Sequence, residues 1–449
     1  MATTKLIAAG KAKPSGAALQ INLRHLQAFS AVAATGSVTQ AADTLFRVAS
    51  AVTRAVAELE ASLGVTLFER KARGMLLNVY GEALRVRAQR VEQEFAAACQ
   101  ELAASDQPAP RNALEARGLL ASMFSGRRLA LFASLSELHN MPAVATAFGV
   151  TQPAISALVR ELEARTERTL FTRSARGVTP TRAGSQLAFR CKRALAELRS
   201  IESDLAALRG AVEGSVVVGA LPLSRTLILP SAIAAVVALH PRLHVRSLES
   251  PYEVLAAALR SGDIDFILGA LRPPEDVKDL VQEPLFEDRI SLIARAGHPL
   301  AKRTRVDRAA LQRAQWVLSR SGSPSRELLE RAFRESGDPV PEPTVETGDL
   351  ALLRGLLLQS DMVTAISAHQ LHHEIEIGAL VVLNHPLEST RRQIGITQRR
   401  NALPSPAAKA LIDAVREVVL HRLPASAEGK AIGRPASSEG GRVRLRLRP

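Results

Sequence analysis

The sequence predicts a multi-domain chain: two copies of a small, mostly helical unit, each trailed by a long linker helix, ahead of an α/β body. Three observations carry that expectation. First, one pattern occurs twice. Leu59-Glu60 … Leu67-Phe68-x-Arg70-x-Ala72-Arg73-Gly74 … Gly81 returns 103 residues later as Leu162-Glu163 … Leu170-Phe171-x-Arg173-x-Ala175-Arg176-Gly177 … Gly184. No gap is needed between Phe29/Phe132 and Gly81/Gly184, and only a duplicated structural unit keeps register like this. Second, from Gly214 onward short apolar runs alternate with helical periodicity, as in a sheet covered by helices. Third, charge is segregated. Residues 1–213 hold 27 Lys+Arg against 18 Asp+Glu, residues 214–421 hold 24 against 24, and the final 28 residues hold 7 against 2.

A basic N-terminal part on a neutral body points to one module facing a polyanion and another facing something small or uncharged. A merely solubilising charge is the bland alternative. The length, 449 residues, leaves room for about three domains at ~150 residues each. Hydrophobic content is 47% with only 3% aromatics, so the cores must be built mostly of Leu, Val, Ala and Ile. Two cysteines, Cys99 and Cys191, argue against a disulfide framework and for a reducing compartment. The first 20 residues contain no apolar run of signal-peptide length and are expected to be disordered. No window approaches ~18 uninterrupted apolar residues, so no membrane span is expected and the protein should be cytoplasmic.

The unit is clearest in its second copy. Leu129, Phe132 and Leu135 share one face of a first helix, and Ala143, Val144, Ala147 and Phe148 make a short second one. Gly149 offers the positive φ that a tight turn needs. Thr151 stands at an N-cap, Pro153 in the first turn, and a third helix should run from Gln152 to about Glu163, burying Ile155, Leu158, Val159 and Leu162. Two helices joined by so short a turn form a helix-turn-helix, whose second helix enters the DNA major groove N-terminus first. Gln152, Ser156 and Arg160, one turn apart on its polar face, suit base edges and phosphates. Arg173 and Arg176 would sit on a short β-wing at backbone-contact spacing.

Phe148-Gly149-Val150-Thr151-Gln152-Pro153-Ala154-Ile155-Ser156 with Leu162-Glu163, then Arg173, Ala175-Arg176-Gly177 and Thr179-x-Thr181-x-Ala183-Gly184, resembles the winged helix-turn-helix of LysR-type transcriptional regulators. From about residue 127 to 421 the chain looks like a whole regulator of that family. The resemblance implies one headpiece, a linker helix and a two-lobed, periplasmic-binding-protein-like (type 2) effector domain. It also implies promoter DNA, a small-molecule effector and RNA polymerase as partners, a homo-oligomer, no cofactor and no enzymatic activity. Residues 21–104 then look like an extra headpiece and linker helix fused in front, which departs from the family plan. This first copy has drifted: Val48-Ala49-Ser50 replaces Thr151-Gln152-Pro153, and Phe46 replaces the turn glycine. Its hydrophobic skeleton and its wing residues Arg70, Lys71 and Arg73 remain. Thr53 and Arg54 are its best contact candidates. The sequence leaves open whether this copy touches DNA or has a structural or dimerising role.

Behind each headpiece runs an apolar stripe stepping by 4 and 3: Leu84, Ala88, Val91, Phe95, Ala98 and Leu102, then Leu187, Cys191, Ala194, Leu198, Ile201, Leu205 and Leu208. Such a seam wants a partner helix. The two stripes pairing with each other, in cis or in trans, is one solution, and a lone amphipathic helix packed on its own domain is another. Cys191 on the seam reads as a small buried apolar side chain rather than a redox switch. Residues 105–126, with Ser105-Asp106-Gln107-Pro108-Ala109-Pro110, read as a linker between 21–104 and 127–211.

In the body (212–421), Gly214–Ala220, Leu243–Leu248 and Asp265–Gly269 read as buried strands, with helices over Leu223–His240 and Val254–Arg260. Strands are expected again at Arg289–Arg295, Trp316–Leu318 and Thr344–Glu346, a returning strand at Arg392–Thr397 and a helix at Ala407–Leu420. The pattern predicts a parallel sheet. By resemblance, lobe one covers about 212–289 and 391–421, and lobe two about 290–390. Ligands of such sheets sit beyond strand carboxyl ends, near helix N-termini. That rule selects Ser224 and Arg225 after the first strand, Ser250 and Tyr252 after the second, and Ser321, Ser323 and Thr347 in the other lobe. Ser224 is equally readable as a plain N-cap and Arg225 as a surface charge.

Other chemistries are weakly signalled. His369, His372, His373 and Glu374 have metal-compatible spacing but no answering cluster, so an exposed helix end is the favoured reading. No phosphate-binding loop, Gly-x-Ser-x-Gly elbow or Cys-x-x-Cys occurs. A periplasmic-type solute-binding protein would require a signal peptide and no basic headpieces, and an enzyme using the two-lobed domain would require a catalytic constellation. The Arg-rich tail, 422–449, is expected to be disordered, with a capacity for non-specific DNA affinity.

Overall fold

The computed structural model describes residues 21–71, 74–103, 125–174 and 177–422. Arg73, Arg176, the 1–20 segment, nearly all of the 105–126 connection and the tail beyond residue 422 lie outside the described residues.

The first headpiece consists of α1 (Leu23–Thr35), α2 (Val38–Leu45), α3 (Ala49–Leu63) and a wing of β1 (Phe68–Lys71) and β2 (Gly74–Leu77), followed by the linker helix α4 (Val79–Ala103). The second repeats it as α5 (Gly126–Leu138), α6 (Met141–Phe148), α7 (Gln152–Thr166), β3 (Phe171–Ser174), β4 (Gly177–Pro180) and α8 (Arg182–Ala207). The repeat extends to individual contacts. Phe29 packs on Phe68 with ring centroids 5.4 Å apart, and Phe132 on Phe171 at 5.3 Å. Glu60 Oε1 accepts the Leu67 N–H at 2.7 Å, and Glu163 Oε1 the Leu170 N–H at 2.8 Å, fixing each wing to its third helix. The glycines opening α4 and α8 are retained for lack of room. A Cβ on Gly81 would stand 2.2 Å from the Leu67 carbonyl oxygen, and one on Gly184 2.0 Å from that of Leu170.

The turns show what drift costs. Gly149 ends α6 with φ 60°, and Phe46 ends α2 with φ 53°. The left-handed turn is therefore kept although the glycine is gone, at a strain of roughly 1–2 kcal/mol.

The two linker helices answer each other's stripes within one chain. Every residue of both stripes is buried in a shared core except Leu208, which caps the end of α8 and is 45% exposed. The expectation that Leu208 continues the seam is thus incorrect, because the helix ends one residue earlier. Packing is antiparallel: Arg87, early in α4, bonds Asp204, late in α8, at 2.6 Å, while Arg190, early in α8, bonds Glu101, late in α4.

The body begins with β5 (Gly214–Ala220), α9 (Ile228–Leu239), β6 (Leu243–Leu248), α10 (Tyr252–Ser261), β7 (Phe266–Ala270) and β8 (Leu280–Asp288). The other lobe holds β9 (Ile290–Arg295), α11 (Arg308–Arg313), β10 (Gln315–Leu318), α12 (Pro324–Glu335), β11 (Pro343–Glu346), α13 (Leu350–Gln359), β12 (Met362–Ser367), α14 (His372–Glu376) and β13 (Leu380–Val382). The chain returns through β14 (Arg392–Arg399) into α15 (Pro406–Arg422). The sheets run β6-β5-β7-β14-β8 and β11-β10-β12-β9-β13. Strands β8 and β14 pair antiparallel from Leu280↔Arg399 to Asp288↔Arg392, one leaving the first lobe and the other re-entering it.

Three expectations need correction. The sheets are mixed rather than parallel: β5 pairs parallel with β6 and β7, but β14 runs against β7 and β8, and β9 against β12 and β13. A chain that crosses between lobes and comes back must reverse direction. Strands β8, β12 and β13 were not anticipated. Of these β8 is an edge strand whose polar, half-covered residues lack the continuous apolar run of a central strand. The single helix expected over Leu223–His240 is a 3-10 turn, Pro222–Arg225, followed by α9. Pro230 lacks an N–H and belongs in a first helical turn, so the helix starts just before it.

Two outcomes follow from this packing. Gly184→Ala should cost about 3 kcal/mol, because the new methyl meets backbone. Gly149→Ala, with open space around the added carbon, should cost only about 1 kcal/mol for its positive φ. Denaturant unfolding of the two variants measures the difference. Cys191 is fully buried and burial pushes its thiol up, so a thiol reagent at mildly alkaline pH should label it only on global unfolding, as read by peptide mass spectrometry.

Candidate functional site

The second headpiece presents the start of α7. Thr151 caps the helix by accepting the Ala154 N–H, and Thr151, Gln152, Pro153 and Arg160 are exposed. Ser156 is half-buried instead, its hydroxyl turned back on Met141 Sδ at 3.5 Å. Arg173 is exposed on β3 opposite Val178. Arg127, not anticipated, donates to the Phe148 carbonyl at the turn, and Arg128 pairs with Glu161, so α5 braces both the turn and α7. In the first headpiece Thr53 and Arg54 are exposed on α3, but the Thr53 hydroxyl donates to the Ala49 carbonyl at 3.0 Å. Arg70 lies in β1 opposite Met75. Val48 supplies no cap to α3, and Phe46 and Val48 are 88% and 67% exposed at the turn. The two headpieces therefore offer different chemistry at equivalent positions.

In the body, sheet topology gathers a second set of residues. The carboxyl ends of β5, β6 and β7 share one edge, and β14 begins there beside β7. In the other lobe the ends of β10, β11 and β12 share an edge with the start of β9. The two edges meet. Thr226 Oγ1 donates to the His369 carbonyl at 3.1 Å, and the His369 ring stands edge-on to Phe286 at 5.6 Å. Ser367 Oγ donates to Asp288 Oδ1 at 2.6 Å. Arg392 holds Asp288 Oδ2 at 3.0 Å and reaches Ser325 Oγ at 3.3 Å. Asp288 is thus a buried node where both crossing strands and the second lobe are tied.

Ser224 does not open a helix. It lies inside the 3-10 turn, fully buried, with its hydroxyl donated to the Leu221 carbonyl at 2.8 Å. Arg225 is exposed, as a surface charge would be. Its Nε donates to the Ala220 carbonyl at 2.9 Å, and partial burial lowers its pKa against the weaker pull of Glu249. Ser250 is half-buried, and Tyr252 begins α10. Among the described residues the buried Tyr252 hydroxyl has no hydrogen-bond partner, and burial pushes it up. Arg272 lies over that ring, 4.1 Å from its centroid, its own pKa lowered by burial. Across the cleft, Ser321 is exposed. Ser323 donates to Ser319 Oγ at 3.1 Å, and the buried Thr347 accepts the Asp349 N–H at 3.0 Å.

His369 is not at an exposed helix end. It sits half-buried in a 3-10 turn after β12, its pKa lowered by burial despite Asp288. Arg272 follows the carboxyl end of β7, a strand end outside the set of sequence candidates. Asp288 and Arg392 escaped the sequence reading because β8 was not recognised.

The body is also joined to the headpieces. The turn after β14 accepts from two α4 arginines: Arg87 donates to the Leu403 carbonyl and Arg90 to that of Asn401, each at 2.9 Å. On the α8 side, Lys192 pairs with Asp263 at 2.7 Å, and Ser203 Oγ accepts the Ala407 N–H at 3.1 Å. A small crevice lined by Arg87, Glu197, Asp265, Arg399 and Leu403 lies at this junction, away from the cleft between the lobes.

Among the described residues no single helix is long and apolar enough to cross a membrane. The family model for bacterial regulatory helix-turn-helix proteins of the lysR family matches twice, over residues 23–82 and 127–185, and the LysR substrate binding domain matches residues 209–420. The HTH-type transcriptional regulator GalR of Pseudomonas putida is 47% identical over 398 residues, covering 89% of this chain and 97% of that protein. So long an alignment does not fit within residues 127–449, so the relative shares much of the front unit. The HTH-type transcriptional regulator GbpR of Azospirillum brasilense is 27% identical over 291 residues, covering 65% of this chain and 85% of that protein. Among solved structures, full-length OxyR from Pseudomonas aeruginosa matches with a TM-score of 0.50 and 22% identity, covering 65% of this chain and 95% of its own, a likeness of fold. Two helix-turn-helix matches, the effector-domain match and a relative aligned along nearly its whole length identify this chain as a DNA-binding transcriptional regulator of the LysR family, with a second headpiece in front.

Proposed function

We propose that the second headpiece reads promoter bases through Gln152 and Arg160 while Arg173 contacts the backbone, and that an anionic metabolite binds between the lobes. Ser156 contributes to packing of α7 on α6 more than to readout, given its contact with Met141. The observation that carries the cleft reading is Arg272, half-buried over the Tyr252 ring with no ion pair among the described residues, and the exposed Arg225 after β5 likewise forms none. A half-buried guanidinium at a strand end that forms no ion pair is what a carboxylate would satisfy. Tyr252, with its unpartnered hydroxyl, would add a hydrogen bond. An uncharged, hydroxyl-rich ligand is the second reading and would lean on Ser250, Ser321, Ser323 and Thr347. Ser224 would serve only as an acceptor, since its proton is already given to Leu221. Effector binding would change the lobe angle across β8 and β14 and pass to the linker helices through the 399–404 turn. The protein would work in the cytoplasm, in keeping with DNA as its partner, as a homo-oligomer able to meet RNA polymerase.

Gln152→Ala should weaken specific DNA binding by roughly 1–3 kcal/mol and leave binding to random duplex nearly unchanged. Gel-shift titrations on a duplex selected from a randomised pool and on random DNA test this, and equal losses would refute base readout by Gln152. For the cleft, a panel of small carboxylates and their neutral analogues is screened by thermal shift, and the best binder titrated by calorimetry. Arg272→Ala should cost about 1.5–3 kcal/mol of carboxylate affinity, the range of hydrogen bonds to charged groups. Stabilisation by neutral analogues alone, with Arg272→Ala silent, would favour the hydroxyl-rich ligand.

A further inference from the structure

The contacts between the linker helices are reciprocal at the repeat offset. Arg87 of α4 bonds Glu197 and Asp204 of α8, and the equivalent Arg190 of α8 bonds Glu94 and Glu101 of α4. Arg90 pairs with Glu197 at 2.9 Å, and its equivalent Arg193 with Glu94 at 2.7 Å. The equivalents Asn22 and Ser125 form a β-bridge with each other, where the two units touch at their starts. Residue i meeting j while the counterpart of j meets the counterpart of i is the signature of a two-fold interface. Here the two-fold operation relates the halves of one chain.

A two-fold rotation leaves height along its axis unchanged, so α3 and α7 stand equally far forward toward anything approaching along that axis. Duplex DNA has dyads of its own perpendicular to the helix axis, and paired helix-turn-helix units use them to occupy half-sites one turn apart. We propose that the two headpieces of a single chain engage one duplex together as an asymmetric pair. The second reads bases. The first holds the neighbouring groove through backbone contacts, with Arg54 on α3 and Lys71 at the end of β1. Both side chains are exposed. The missing amide at Ala49, the absent cap at Val48 and the apolar Phe46 suit backbone holding better than base reading. The operator is therefore two unlike half-sites, not a palindrome, for each chain. This rests on the DNA-binding reading above.

The test uses the full-length protein with Cys99→Ala, Cys191 being buried, and a duplex selected from a randomised pool. A cleavage reagent is tethered at the exposed Ala57→Cys in one preparation and at the exposed Ala157→Cys in another, which leaves Arg54 and Arg160 in place. Two centres of cleavage, equal in number and about 10 bp or a small multiple of that apart, are expected. Arg54→Glu should lower affinity roughly tenfold and, with Lys71→Glu added, flatten the salt dependence by about one to two contacts. Discrete cleavage from position 157 with none from position 57, or unchanged affinity in both charge-reversed variants, overturns the inference. Silence from position 157 as well would instead overturn the DNA-binding reading beneath it. If Arg54→Glu unfolds, as circular dichroism would show, Arg54→Ala gives the same comparison.

Discussion

Everything in front of residue 214 is organised by one antiparallel helix pair. Its apolar stripes alone would allow the helices to slide, because small and branched aliphatic residues repeat at the same 3/4 steps on both. The reciprocal arginine–carboxylate contacts remove that freedom, since Arg87 and Arg190 each need two acids about two helical turns apart. Arg87 is almost fully buried, yet Asp204 and Glu197 raise its pKa despite the desolvation. A buried ionic network seldom adds much net stability, but it specifies one register. That register also sets where each wing and recognition helix points.

The same pair is the floor on which the effector body rests. Asp288 and Arg392 tie the lobes at one end of the crossing strands. At the other end of β14, Arg399 lies 3.7 Å from Glu197, the carboxylate already shared by Arg87 and Arg90. One strand therefore spans from the node between the lobes to the ionic centre of the seam. Because interiors are close-packed and yield in discrete steps rather than continuously, a change at one end of a paired strand has a rigid path to the other.

The duplication, the headpiece helices and the glycine positions were legible because local periodicity and caps decide them. Thr151 and Gly184 are each required by a contact within their own unit, and Gly149 is favoured by the positive φ of its turn. The central strands were legible for a similar reason, as continuous apolar runs. What was not legible depends on pairing between distant segments. Strand β8 is recognisable only beside β14, and the partner of the Leu198/Ile201 stripe was one of several choices until α4 was seen against it. The cleft suffered most. Ser224 has a suitable hydroxyl at a suitable place in the sequence, but Pro222 and Pro230 break the backbone into a turn and a later helix, and the hydroxyl is spent inside the turn. Arg272 and Asp288, by contrast, were hidden by ordinary-looking neighbours.

Fusing the two units has a consequence in mass action. Separate chains must find each other, and their pairing fades with dilution. Two helices on one polypeptide meet at an effective concentration of order ~mM for a short connection, whatever the number of molecules in the cell. The paired headpieces described here are thus formed by folding itself. A newly made molecule has them complete at any abundance, and halving its synthesis lowers the number of pairs in proportion rather than as the square.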